Sequence, residues 1–91
     1  MWVRWTTRAQ AEFDHQIDYV AADNLSAALR LRNVVHAHTQ MLASHPEMGR
    51  AGRVTNSREL VIAGTPYIAI YRVGKEPVEI FRFLHGAQKY P

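Results

Sequence analysis

Three apolar-alternating stretches crowd the end of the chain: RELVIA (58–63), PYIAIYRV (66–73) and PVEIFRFLH (77–85), parted only by short turns at Gly64-Thr65 and Gly74-Lys75. Reversals that tight commit neighbouring strands to antiparallel pairing, so this third of the molecule reads as a β-meander. WVRW (2–5) alternates in the same way and reads as a short first strand. The segment between them is helical in period. Thr7 with Gln10 forms a capping-box pattern, and Ala9, Phe13, Ile17 and Val20 then fall on one helix face. After the break at Ala22-Asp23-Asn24, Asn24 is the expected N-cap of a second helix with Ala28, Leu31, Val35 and Leu42 on one stripe. That helix is expected to end near Ser44, because Pro46 disfavours helical backbone at His45. EMGRAGRVTN (47–56) has no period and reads as a loop.

The order β-αα-βββ predicts an α+β fold, an antiparallel helical hairpin packed on one face of a small, mainly antiparallel sheet. The 91 residues hold no internal repeat or linker and form one domain, 1–91. With no cysteine there is neither a disulfide framework nor a thiolate metal site. No apolar run approaches the roughly 20 residues of a membrane span, and the start of the chain lacks a signal-peptide pattern, so a cytoplasmic protein without membrane contact is expected. The net charge of +3 permits a nucleic-acid partner without requiring one.

With Ile62 opposite Tyr67 and Val73 opposite Val78, strand alternation gives every meander side chain a face. One face collects Val61, Ile68, Ile70, Phe81 and Phe83, with Glu59, Arg72 and Glu79 at one end. Its apolar centre makes it the face expected under the helices. The other collects Arg58, Leu60, Ile62, Tyr67, Ala69, Tyr71, Ile80, Arg82 and Leu84, and is expected to lie open. Arginine and tyrosine among exposed aliphatics are the makings of an interface. The plainer alternative is that the GAQKYP tail (86–91) folds over this face.

Five histidines invite a metal reading, which the spacing does not support. His36 and His38, two apart on a helix, point roughly 200° away from each other. His15 reads as solvated and His45 as a helix end, and GRAGR (49–53) is too short for a phosphate-binding loop. No metal and no cofactor is expected.

An ordered set of short motifs runs through the chain: Trp5-Thr6, Asn24 with Ala27-Ala28, His45-Pro46-Glu47-Met48-Gly49-Arg50, Arg58-Glu59-Leu60, Pro66-Tyr67-Ile68, Tyr71-Arg72-Val73, and Leu84-His85-Gly86 with its AQKYP ending. Over nearly the whole chain this set resembles the RelE/ParE superfamily, toxins of type II toxin–antitoxin modules. The resemblance implies a cognate antitoxin that wraps the toxin, in a heterotetramer or larger complex. On the face expected to be open, Arg58, Leu60, Ile62, Tyr71, Ile80 and Arg82 are the antitoxin-binding candidates.

The superfamily divides by target. RelE-like members cut messenger RNA on the ribosome, and ParE-like members poison DNA gyrase. RelE-like members carry an arginine just after the position of Tyr67, where this chain has Ile68, and its YRV motif and HGAQKYP ending resemble the ParE-like branch. The favoured expectation is therefore a gyrase poison acting through surface contacts, with Arg50, Arg53, Arg82, His85, Lys89 and Tyr90 as target-facing candidates. A ribonuclease would instead need Glu59 as base, Arg82 as phosphate clamp, His85 as acid and Tyr90 as an auxiliary. The register scatters that set, with Glu59 and His85 at opposite ends of the sheet. A third reading is a binding module that keeps the antitoxin surface without toxicity.

Overall fold

Asn24 ends one helix and begins the next. In the computed structural model, which describes residues 1–91, its extended backbone stops α1 (Thr7–Asp23). Its side-chain oxygen accepts the Ala27 N–H, 3.0 Å away, and so opens α2 (Leu25–Gln40). A link this short forces the two helices antiparallel. α1 is capped by Thr6 rather than Thr7: the Thr6 hydroxyl accepts from Ala9 N–H, and Gln10 turns to Asp14 instead. α2 tightens into a single 3-10 turn, Met41–Ala43, before Pro46.

Five strands make the sheet: β1 (Val3–Trp5), β2 (Arg50–Ala51), β3 (Arg58–Val61), β4 (Tyr67–Val73) and β5 (Val78–His85), in the order β1-β5-β4-β3-β2. β1 runs parallel to β5, and the other pairs are antiparallel. β2 lies in the stretch expected to be loop. It pairs Arg50 with Glu59 and Ala51 with Arg58, a ladder too short to leave a periodic signal. The meander has the expected turn register: Leu60 faces Ala69, Val73 faces Val78 and Arg72 faces Glu79.

The two faces are exchanged relative to the sequence expectation. Leu60, Ile62, Tyr67, Ala69, Tyr71 and Ile80 pack beneath the helices with Ala9, Phe13, Val35 and Leu42. The tyrosines belong there because their polar tips find partners, which makes them core residues rather than interface residues. Tyr71 Oη donates to Pro46 O (2.7 Å) and accepts from Gly49 N–H (2.9 Å), while Tyr67 Oη donates to Gln16 Oε1 (3.2 Å). A Cβ on Gly49 would lie 2.6 Å from the Tyr71 hydroxyl, so this contact requires glycine.

Phe81 changes the rest of the assignment. The β4–β5 ladder steps from Tyr71–Ile80 to Ile70–Arg82, leaving Phe81 as a bulge that shifts the alternation by one. Phe83 thereby joins the helix-side core, where its ring meets Phe13 edge-on at 5.2 Å and Tyr67 at 5.3 Å. Leu84 crosses to the far side with Ile68 and Ile70. That far side is not bare: Tyr90 from the C-terminal tail and Val54 from the β2–β3 loop cover it. The tail does fold over a sheet face, the one opposite the helices.

Candidate functional site

Glu59 sits on the far face of β3 with its side chain only 2% exposed. A buried carboxylate is tolerable only with charge-assisted partners, and β2 and the loop after it each supply an arginine. Arg50 approaches Oε1 through Nε and Nη2, the closer at 3.1 Å. Arg53 brings Nε to Oε2 at 3.2 Å and Nη2 to Oε1 at 3.4 Å, and its backbone N–H donates to Oε2 at 3.1 Å. Burial pushes the Glu59 carboxyl up, but these hydrogen bonds from Arg53 and Arg50 outweigh it and hold the group below its ordinary 4.5. The acid is locked as a carboxylate, which makes it a poor proton acceptor.

The same arginines reach outward. Their side chains are 59% (Arg50) and 45% (Arg53) exposed. The Arg53 guanidinium also lies 4.2 Å over the Tyr90 ring, so Glu59, Arg53 and the tail form one stack. Tyr90 is 8% exposed and its hydroxyl is buried without a hydrogen-bond partner. Arg72, diagonal to Glu59 on the same face, lies 4.1 Å over Phe81, while Glu79 across from it pairs with Arg4.

The antitoxin-binding candidates need correction. Leu60, Ile62, Tyr71 and Ile80 are buried under the helices, and of the four only Leu60 lines a surface groove, at the edge of β3. Arg58 is half-buried and donates to the carbonyls of Gly49 (2.8 Å) and Glu47 (3.3 Å), fastening the loop before β2. Arg82 is tied to Glu12 of α1, Nη2 to Oε2 at 3.0 Å, and Glu12 also accepts the Phe83 N–H that β1 is too short to pair. Both arginines are structural ties first.

The target-facing candidates divide. Arg50, Arg53, Lys89 and His85 are exposed, but Tyr90 is packed inward. His85 Nδ1 accepts the Ala87 N–H and its ring stands edge-on to Tyr67, 5.9 Å away. The ribonuclease set does not converge. Glu59 pairs with Ile70 and His85 with Tyr67, so they lie three residues apart along the sheet and two strands apart across it. That is roughly 10 Å in each direction. Arg82 is held by Glu12, and the Tyr90 hydroxyl has no surface to offer a substrate.

A second surface was missed because its residues come from three separate segments. β2 covers only the start of β3, so the edge at Leu60 and Val61 lacks a partner strand. Beside it, His38, Met41, Met48, Arg50, Ala63 and the β3 residues Glu59, Leu60 and Val61 line a groove of about 450 Å³. Met41, Met48 and Val61 are exposed apolar residues there. Val61 had been expected beneath the helices.

The sequence model of the ParE toxin of type II toxin–antitoxin systems (parDE) matches residues 3–90. The chain belongs to the ParE toxin family. A Sinorhizobium fredii protein named "Putative toxin Y4kP" is 38% identical to this ParE-family chain over 89 residues, 98% of this chain and 92% of the relative. Among solved structures, the chromosomal ParDE TA system from P. aeruginosa superposes with a TM-score of 0.82. At 24% identity over 91% of this chain and 92% of that one, it speaks for the ParE fold alone. The far-face cluster and the β3-edge groove are thus features of a type II toxin. None of its helices is long and apolar enough to cross a membrane.

Proposed function

We propose that this toxin arrests growth by poisoning DNA gyrase through protein contact, and that a cognate antitoxin neutralises it. One observation carries the choice of gyrase over messenger RNA. Glu59, the candidate base of a ribonuclease reading, is clamped between two guanidiniums, and Arg82, its candidate phosphate clamp, is spent on Glu12. The position that holds an arginine in RelE-like relatives is Ile68, 3% exposed and packed against Tyr90. The lack of an assembled proton-transfer set supports action by binding rather than by cleavage.

For the antitoxin, the β3-edge groove replaces the buried residues as the docking surface. An extended antitoxin segment laid along Val61 would supply the missing strand pairing, and its apolar side chains would cover Met41 and Met48. An acidic residue on the segment would meet the exposed Arg50. Val61→Asp tests this: it should weaken antitoxin binding at least tenfold in calorimetry while leaving the thermal midpoint of the free toxin within a few degrees. An unchanged dissociation constant would move the antitoxin elsewhere.

The gyrase reading is tested with purified, antitoxin-free protein, gyrase and supercoiled plasmid, quenched with detergent and protease. Linear plasmid that requires both toxin and gyrase is the expected product. Absence of linear product, from protein that is folded and toxic in cells, would turn the reading to ribosome-dependent messenger cleavage. Protein that is folded and not toxic would support a binding module alone.

A further inference from the structure

On the far face, four guanidiniums stand against two carboxylates. Arg50 and Arg53 grip Glu59, Arg72 stands diagonal to it on the next strand, and Arg4 pairs with Glu79, leaving two positive charges uncompensated. The arrangement is directional as well as basic. Arg50 and Arg53 each spend Nε and Nη2 on Glu59, which leaves both Nη1 groups with their protons free. Because Glu59 fixes the two side chains in advance, they lose little further freedom on gripping an anion. Arg53 and Arg72 also have their guanidinium carbons over aromatic rings, Tyr90 at 4.2 Å and Phe81 at 4.1 Å. An aromatic-backed guanidinium offers its outer plane for stacking and its edge for hydrogen bonds, the two contacts that an unpaired nucleotide makes.

We propose that Arg50, Arg53 and Arg72 form a binding site for the phosphodiester backbone of a nucleic acid, with the guanidinium planes of Arg53 and Arg72 as stacking surfaces for unpaired bases. Glu59 is a positioning residue that presents Arg50 and Arg53 and contacts no ligand. An acidic protein segment would use the charge but leave the stacking planes idle, so the nucleic acid is the better match. The site does not depend on the gyrase reading, because it needs no gyrase to be occupied.

Fluorescence anisotropy of the antitoxin-free protein with a short labelled DNA strand, the RNA of the same sequence and the DNA duplex tests it, at about 50 and 200 mM salt. Binding is expected to be insensitive to base sequence and to weaken as salt rises. Arg72→Gln, which leaves every bond to Glu59 in place, should weaken it about fivefold and lower the salt slope by about one. Arg53→Lys should keep much of the salt slope while losing any preference for single strands. Arg32→Ala, on the exposed side of α2, should change nothing. Equal affinity for all three nucleic acids would assign the site to phosphate alone, and a single-strand preference would add stacking. If no probe binds at the lower salt, or Arg72→Gln binds as well as the wild type, the proposal fails. Capture of a glutamate-rich peptide in place of nucleic acid would overturn it in favour of a protein partner.

Discussion

The two faces of this sheet are built in opposite ways. The helix side is a layer of interlocking rings in which each buried hydroxyl has a partner: Phe83 lies 5.2 Å from Phe13 and 5.3 Å from Tyr67, and Tyr71 is bonded at both donor and acceptor. The far side is a thin patch of three aliphatics closed by Tyr90 of the tail and Val54 of the β2–β3 loop, with a bonded carboxylate at its margin and an unbonded hydroxyl at its centre. One face is committed to stability. The other keeps its arginines half in water and its lid at the end of the chain, where binding surfaces are easiest to vary.

Substitutions can break that contrast. Phe13→Ala strikes the ring cluster at its centre and should cost about 3–5 kcal/mol in denaturant unfolding. If it costs no more than truncating a far-face residue, the helix side is not the main core. Glu59→Gln comes next, at about 1.5–3 kcal/mol near neutral pH, because two guanidiniums lose their charge partner. Its pH dependence sharpens the point. The Glu59 carboxyl titrates below 4.5 in the folded state, so its contribution is present above that value and fades as the pH falls through the folded pKa. The gap between wild type and variant should therefore close in acid, and a gap that stays constant would mean that charge is not its source.

The smallest effects divide by sign. Tyr71→Phe removes a hydroxyl on which Gly49 N–H and Pro46 O depend, and should destabilise by about 1–2 kcal/mol. Tyr90→Phe removes a hydroxyl that bonds to nothing and should be neutral or stabilising by up to about 1 kcal/mol. Equal effects from the two variants, read as thermal midpoints, would erase the distinction between the faces.

The order of the helices and the four longer strands is legible in the sequence, along with the Asn24 junction and the register at the two meander turns, because caps and tight turns are local signals. The assignment of faces was not local. Arginine and tyrosine in a strand read as marks of exposure, whereas Tyr71 and Arg58 use their polar ends to fasten the chain around Gly49. The candidate site was half legible. Arg50, Arg53, Glu59 and Tyr90 were all singled out, but in separate roles. Their assembly depends on β2, two residues long, and on the tail turning back, neither of which has a period to read. Glu12 reads as pointing away from the apolar helix face, because a lone glutamate on an amphipathic helix looks solvated until its strand-edge partners are known.

The bulge at Phe81 gives β5 a change of phase: Ile80 and Phe83 serve the helix layer, while Leu84 serves the tail. A one-residue gap at this point in any relative is then a change of architecture rather than noise in the alignment. Deleting Phe81 would put the rest of the strand back in step and send Phe83 to the tail and Leu84 to the helices. Hydropathy compared column by column across that gap would match residues from opposite sides of the protein.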